Sequence, residues 1–344
     1  MTMNVPDLAI IVLAAGKGTR MRSALPKVLH RLCGRSMLGH VLAVADALAP
    51  AYTAIVLAPD TLEPVRAHFG PRYVYAAQPE QLGTGHAVLA AQPALPRASD
   101  DVLVLYGDTP LLRPATARAV IGLRRSSGAL VGIMSMHEPP PTAYGRIVRD
   151  ELGQVIAIVE ARNATPEQAA LSECNSGVMA FDAAWLWPAL GRLAPNPLNG
   201  EYYLTDLAAL AVAEHGPGAA VALPADDARE AWGINDRAQL AEAEAVLRGR
   251  VLAELMHAGV SVIDPATTYI DTGVTVGYDT TIWPGTLLRG ATQVGVGCQI
   301  GPHTTIDDST IGDGSCVRYA LVERAHIAPS TSIGPFEYVR QSGL

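Results

Sequence analysis

The sequence predicts an α/β domain with a parallel sheet, followed by a parallel β-helix of hexapeptide repeats, on three observations. Apolar runs at residues 8–13, 54–57, 73–76 and 102–105 alternate with helical patterns such as 37–48, the rhythm of strands joined by crossover helices. A long helical pattern then follows Asn235 and runs to about residue 256. Beyond it, apolar residues recur every six positions, at Ile270, Val276, Ile282, Leu288, Val294, Ile300 and Ile306. Together these place the α/β domain at 1–235, a helical arm at 236–263 and the β-helix at 264–344.

The first strand, ending at Leu13, runs into Ala14-Ala15-Gly16-Lys17-Gly18-Thr19-Arg20-Met21 and then Leu25-Pro26-Lys27. Gly16 and Gly18 let the backbone come close to a ligand, and Lys17, Arg20 and Lys27 add positive charge, so the loop suits a nucleoside triphosphate. It lacks the Gly-Lys-Ser/Thr ending of a Walker A loop and the third glycine of the dinucleotide pattern. In parallel α/β sheets ligands bind beyond the carboxyl ends of the strands, so the loop after Leu105 should face the same crevice. That loop is Tyr106-Gly107-Asp108-Thr109-Pro110, in which Asp108 suits a divalent cation held against phosphate, although Asp-Thr-Pro also reads as a simple turn. Between them, Gln78-Pro79-Glu80-Gln81-Leu82-Gly83-Thr84-Gly85-His86 offers amides and accessible backbone for the edge of a planar base. Thr84 is equally suited to cap the following helix, and His86 reads as structural.

From 140 to 235 short alternating strands at 145–148 and 155–159 interrupt the rhythm. Tyr144-Gly145-Arg146, Glu160 and Asn175 in Glu173-Cys174-Asn175-Ser176-Gly177 stand out there, each weak alone because surface Glu and loop Asn are usually solvated or turn-forming. Asn235 is well placed to cap the long helix.

The string Leu-Ala-Ala-Gly-Lys-Gly-Thr-Arg-Met, with Leu-Pro-Lys-Val-Leu-His at 25–30, resembles the signature of sugar-phosphate nucleotidylyltransferases, specifically the bacterial bifunctional N-acetylglucosamine-1-phosphate uridylyltransferases. The resemblance covers residues 8–257. It implies a Rossmann-like nucleotidyltransferase domain that transfers UMP from UTP to N-acetylglucosamine-1-phosphate, giving UDP-N-acetylglucosamine, a precursor for peptidoglycan and lipopolysaccharide, and pyrophosphate. Nucleotide-binding positions carried over are Leu13, Ala14, Ala15, Gly16, Lys27, Gln78, Gly83, Thr84, Tyr106, Gly107 and Asp108. Sugar-binding positions are Gly145, Glu160, Asn175 and Asn235, and the segment 199–206 resembles the lining of that pocket. Asp108 and Asn235 are expected to hold Mg2+, whose hard-cation chemistry suits a carboxylate, an amide carbonyl and water. Arg20 and Lys17 are expected to neutralise the triphosphate and departing pyrophosphate, and Lys27 to clamp the α-phosphate. Ala24 departs from the aspartate common in the family, with Pro26 and Lys27 retained. Two other readings remain: a related enzyme for another sugar or nucleotide, and a nucleotide-binding scaffold that releases no pyrophosphate.

In the family a left-handed β-helix forms trimers and carries acetyl transfer from acetyl-CoA to glucosamine-1-phosphate. The repeats here give roughly four coils, with the spacing slipping through Ile311, Val317, Val322 and Ile327 before Ile333 and Val339, where an irregular corner is expected. Of the acetyltransferase substrate positions only Arg340 is matched, so a homotrimer without acetyltransferase activity is expected.

The formal net charge of -8 argues against nucleic acid and anionic membranes as partners. The amino-terminal residues lack a basic leader, and no apolar run approaches the length that crosses a bilayer, so a cytoplasmic enzyme is expected. Four cysteines, at 33, 174, 298 and 316, share no CxxC spacing and are expected to be reduced.

Overall fold

A computed structural model describes residues 7–96 and 99–340; the first six residues, read above for a leader, lie outside the described residues. The chain divides into two compact units, one of residues 1–30 and 37–236, the other of 31–36 and 237–344.

In the first unit, β1 (Leu8–Leu13) is followed, after the hairpin β2 (Arg31–Leu32) and β3 (Arg35–Ser36) that belongs to the second unit, by α1 (Met37–Ala47), β4 (Tyr52–Leu57) and α2 (Pro59–Phe69). Then come β5 (Val74–Ala77), α3 (Thr84–Ala91), β6 (Asp101–Tyr106), α4 (Pro114–Ser127) and β7 (Val131–His137). The remainder is β8 (Arg146–Arg149), β9 (Val155–Val159), α5 (Pro166–Ala169), β10 (Glu173–Asp182), α6 (Ala183–Leu190), α7 (Asp206–His215) and β11 (Ala220–Pro224).

The sheet runs β11-β7-β10-β6-β1-β4-β5, with the β8–β9 hairpin hung from β10. Strand β1 at its centre is apolar at every position, and β4 and β6 beside it nearly so, because both faces are covered. Ile10, Val12, Leu103 and Leu105 enter the core on one face, while Ala9, Ile11, Val102 and Val104 enter the core on the other. Each such large side chain contributes about 1.5–3 kcal/mol by leaving water. One strand departs from the parallel arrangement: β10 lies antiparallel to both β6 and β7, with an irregularity between Asn175 and Met179. A strand that leaves the β8–β9 hairpin enters the sheet from its carboxyl end, and that carries the 173–177 segment to the crevice.

In the second unit α8 (Arg237–His257) leads into short strands from β12 (Ser261–Val262) to β25 (Tyr338–Arg340). All pair in parallel to form three faces, β12-β15-β18-β21-β24, β13-β16-β19-β22-β25 and β14-β17-β20-β23, which is a parallel β-helix. Ile282, Leu288, Ile300, Ile306, Val317 and Val322 fill its axis. Where the spacing slips, pairing continues, Val294 beside Ile311 and Ile306 beside Val322. The shorter step is absorbed at corners, where Asp308, Tyr319 and Arg324 take left-handed φ of 46°, 48° and 48°. Buried Thr280, Thr292 and Ser315 hydroxyls donate to carbonyls within the stack. The hairpin 31–36 sits in this unit: Cys33 N donates to Glu244 Oε2 of α8 at 2.9 Å, and Thr272 N donates to Cys33 O at 3.1 Å. Among the described residues no helix is long and apolar enough to cross a membrane.

Candidate active site

The loops after β1 and β6 leave adjacent parallel strands and are tied at their roots. Ala14 N donates to Val56 O at 2.8 Å, and Gly107 N donates to Leu13 O at 2.9 Å. Met21, 1% exposed, anchors the far side of the first loop in the core. Gly16 faces open space, with nothing within 4 Å of a Cβ built on it. The turn through Pro26 returns the chain so that Lys27 points inward. Its Nζ lies 2.6 Å from Asp108 Oδ2 and donates to Asn235 Oδ1 at 2.8 Å. Ile234 N donates to Asp108 O at 2.9 Å, which joins the 233–235 segment to the loop after β6.

Two cavities open here. The first, of about 340 Å³, is lined by Leu13, Ala14, Ala15 and Gly16 on one side and by Gln78, Gly83 and Thr84 on another, with Lys27, Tyr106, Asp108 and Asn235 at its floor. The second, of about 310 Å³, takes Gly145, Glu160 and Asn175 together with Tyr144, Tyr203 and Thr205. Thr84, Tyr106, Asp108 and Glu201 line both. Residues spread from Leu13 to Asn235 thus converge on one crevice with two compartments.

Each compartment is braced. Gln78 Nε2 donates to Gly83 O at 3.1 Å and lies 3.1 Å from His86 Nδ1, which makes His86 a support for the glutamine. Gly83 precedes α3 as its cap residue, while Thr84 is already helical, and its Oγ1 accepts from Leu204 N at 3.0 Å instead of capping the helix. In the second compartment Gly177 N donates to Asn175 Oδ1 at 3.0 Å, and Thr205 Oγ1 donates to Glu160 Oε1 at 2.8 Å. Burial drives the Tyr106 phenol well above its ordinary value, with Glu160 and Asp108 adding to it, so the ring is a neutral wall between the compartments. Burial also raises Asp206, as does the nearby Glu160.

Several predicted residues lie elsewhere. Lys17 and Arg20 are exposed and line neither cavity. Gly107 is buried behind Tyr106, where a Cβ would come within 3.1 Å of Ala14 Cβ. Asn235, expected also at the sugar, lines the first compartment, and α8 begins two residues after it. Two residues of segments already singled out take individual roles: Gln81 Nε2 donates to Ala15 O, and Glu201, within 199–206, lines both compartments. A carbonyl bound from 66 residues away leaves no local sequence signal.

Among the described residues no group of three or more His, Cys, Asp or Glu side chains could hold a metal. Asp108 Oδ2 and Asn235 Oδ1 are nevertheless hard oxygen donors that already meet a cationic group, and a divalent ion held by two protein oxygens would complete its shell with phosphate and water.

A phosphate-approaching glycine loop on a parallel sheet, opposite a carboxylate and beside a second polar compartment, defines a nucleotidyltransferase. A family profile described as a MobA-like NTP transferase domain matches residues 10–171. Three proteins named "Bifunctional protein GlmU" are each 46% identical to the chain. That of Heliobacterium modesticaldum aligns over 96% of this chain and 71% of its own length, that of Streptomyces avermitilis over 96% and 69%, and that of Trichlorobacter lovleyi over 98% and 73%. The chain belongs to the GlmU family and is a nucleotidyltransferase of the kind that works with a divalent metal.

Proposed function

We propose that the chain transfers UMP from UTP to N-acetylglucosamine-1-phosphate, with Mg2+ as the divalent ion, forming UDP-N-acetylglucosamine and pyrophosphate. The observation that carries this reading is the meeting of the two compartments at Thr84, Tyr106, Asp108 and Glu201. A nucleotide in the first and a sugar phosphate in the second bring their phosphates together beside Asp108. The acceptor phosphate oxygen attacks the α-phosphorus, the bond to the β-phosphate oxygen breaks, and pyrophosphate leaves with the electron pair. The nucleophile is already an anion, so the chain needs no general base, and its work is positioning and charge neutralisation.

Gln78, held by Gly83 and His86, presents its amide along the wall for the base. Glu160 and Asn175 supply acceptors and donors for sugar hydroxyls and the acetamido group. Asp108 and Asn235 would hold Mg2+, which lowers the charge barrier between the two phosphates. Lys27 adds positive charge at the same point. Lys17 and Arg20 are assigned to the triphosphate and departing pyrophosphate, which their exposed loop must fold over. The β-helix is assigned to a homotrimer, and the reaction to the cytoplasm, where UTP is available.

The test is pyrophosphate release from UTP, N-acetylglucosamine-1-phosphate and Mg2+, with UDP-N-acetylglucosamine identified by mass and a chelated control. Competition with glucose-1-phosphate reports the sugar preference. Release that persists in chelator, or product only with another sugar or nucleotide, overturns the assignment. UTP binding without release would favour the scaffold reading.

A further inference from the structure

Lys27 reaches Asp108 Oδ2 and Asn235 Oδ1 with one ammonium, and its side chain is only 8% exposed. An ammonium that meets two hard oxygens at once does for them what a divalent cation would do: it neutralises the carboxylate and gives each oxygen an electropositive partner. Three features show that the arrangement is built into the fold. Asn235 is oriented with its oxygen toward Lys27, because Nδ2 donates to Gly233 O at 3.2 Å. The backbone bond from Ile234 N to Asp108 O fixes the spacing of the two donors. Gly18, with φ of 60°, is where a Cβ would fall 2.5 Å from Lys27 Cβ, so the absence of a side chain there admits the lysine stem.

We propose that Lys27 is the resident counter-ion of the two metal-binding oxygens. In the nucleotide-free protein its ammonium holds Asp108 and Asn235 and excludes divalent cations from them. It releases them when a triphosphate in the first compartment offers it other anionic oxygens. Nucleotide and metal are therefore coupled through one side chain with two sets of partners, and each raises the affinity of the other by the same factor. A cation arriving alone must displace a paired ammonium, whereas a cation arriving with nucleotide finds the oxygens vacated. This inference rests on the metal assignment proposed above.

The test titrates Mn2+ into the full chain and follows the free-ion electron paramagnetic resonance signal, without nucleotide and with UTP. In the unsubstituted protein UTP should tighten Mn2+ binding on the order of tenfold or more. Lys27→Met should bind Mn2+ without nucleotide on the order of tenfold more tightly than the unsubstituted chain, and its UTP effect should shrink by the same factor, leaving only the part that the triphosphate oxygens themselves supply. Lys27→Gln, which keeps a polar side chain and drops the charge, should move the same way. Adding Asp108→Asn to Lys27→Met should abolish the gain. The proposal is overturned if UTP leaves Mn2+ affinity unchanged in the unsubstituted chain, or if the folded Lys27 variants bind Mn2+ no more tightly than it does. Metal-dependent pyrophosphate release with a flat Lys27 response defeats this inference alone. Absent release defeats the functional reading while leaving the Mn2+ result to stand by itself.

Discussion

Two glycines of the first compartment should respond oppositely to the same methyl group. Gly83 has φ of 98°, and a Cβ there would lie 2.6 Å from Tyr202 O and 2.8 Å from Tyr202 N. Both atoms are engaged, Tyr202 O accepting from Gly85 N and Tyr202 N donating to Leu82 O, each at 2.8 Å, so neither can withdraw freely. A side chain in such a backbone region costs about 1–3 kcal/mol, and overpacking against fixed backbone costs about 1–3 kcal/mol more before relaxation. A net loss of roughly 2–4 kcal/mol in Gly83→Ala lowers the Tm of the first unit by roughly 5–15 °C. At Gly16 a Cβ meets nothing within 4 Å, so Gly16→Ala should leave unfolding within about 0.5 kcal/mol of the parent. Its methyl group occupies ligand space, and UTP affinity should fall on the order of tenfold. Thermal unfolding by circular dichroism and UTP binding by calorimetry measure the pair. The reasoning is refuted if Gly83→Ala melts with the parent, or if Gly16→Ala loses stability and keeps its UTP affinity.

Arg20→Ala should lower kcat by roughly 100-fold or more with a modest change in KM, because its charge is assigned to the departing pyrophosphate; an unchanged kcat sinks that role. Thr205→Val removes the hydroxyl that donates to Glu160, and hydrogen bonds to charged groups are worth about 1.5–3 kcal/mol. KM for the sugar phosphate should therefore rise about 10- to 100-fold with UTP binding intact, and equal loss for both substrates would count against the two-compartment reading. Burial, and then the Glu244 carboxylate, push the Cys33 thiol far above its usual range. At pH 8 the folded protein should leave Cys33 unmodified by a disulfide reagent while partly buried Cys316 reacts, and a Cys33 adduct in the native mass spectrum would contradict this.

The α/β order and the β-helix were readable because periodicity is a local property. Strands such as β1 are apolar at every position, and the coils repeat every six residues until corners tighten. The antiparallel β10 was not readable, since strand direction depends on how the chain enters the sheet and not on the residues of Glu173–Asp182 themselves. At the site, motif residues such as Asp108, Asn235, Glu160 and Asn175 do line the crevice. Braces such as Gln81 and Thr205 escaped individual notice because each acts through a partner 66 or 45 residues away. Lys27 was expected at phosphate, and its grip on Asp108 and Asn235 needed three dimensions to appear.

The hairpin at 31–36 imposes an order of assembly on the polypeptide. Its partners Glu244 and Thr272 are 211 and 239 residues downstream. At about 5–20 residues per second, a ribosome needs on the order of 10–40 s to deliver Glu244 after Cys33 has emerged. For that interval the Cys33 amide and carbonyl have neither acceptor nor donor from the second unit, while the strands around them are already being made. Cutting the gene once, after residue 236, makes that transient state permanent, with a two-stranded edge left open to other chains. A dissection that follows the fold instead keeps 31–36 with the long helix and the coils, and closes the first unit with a short turn from His30 to Met37.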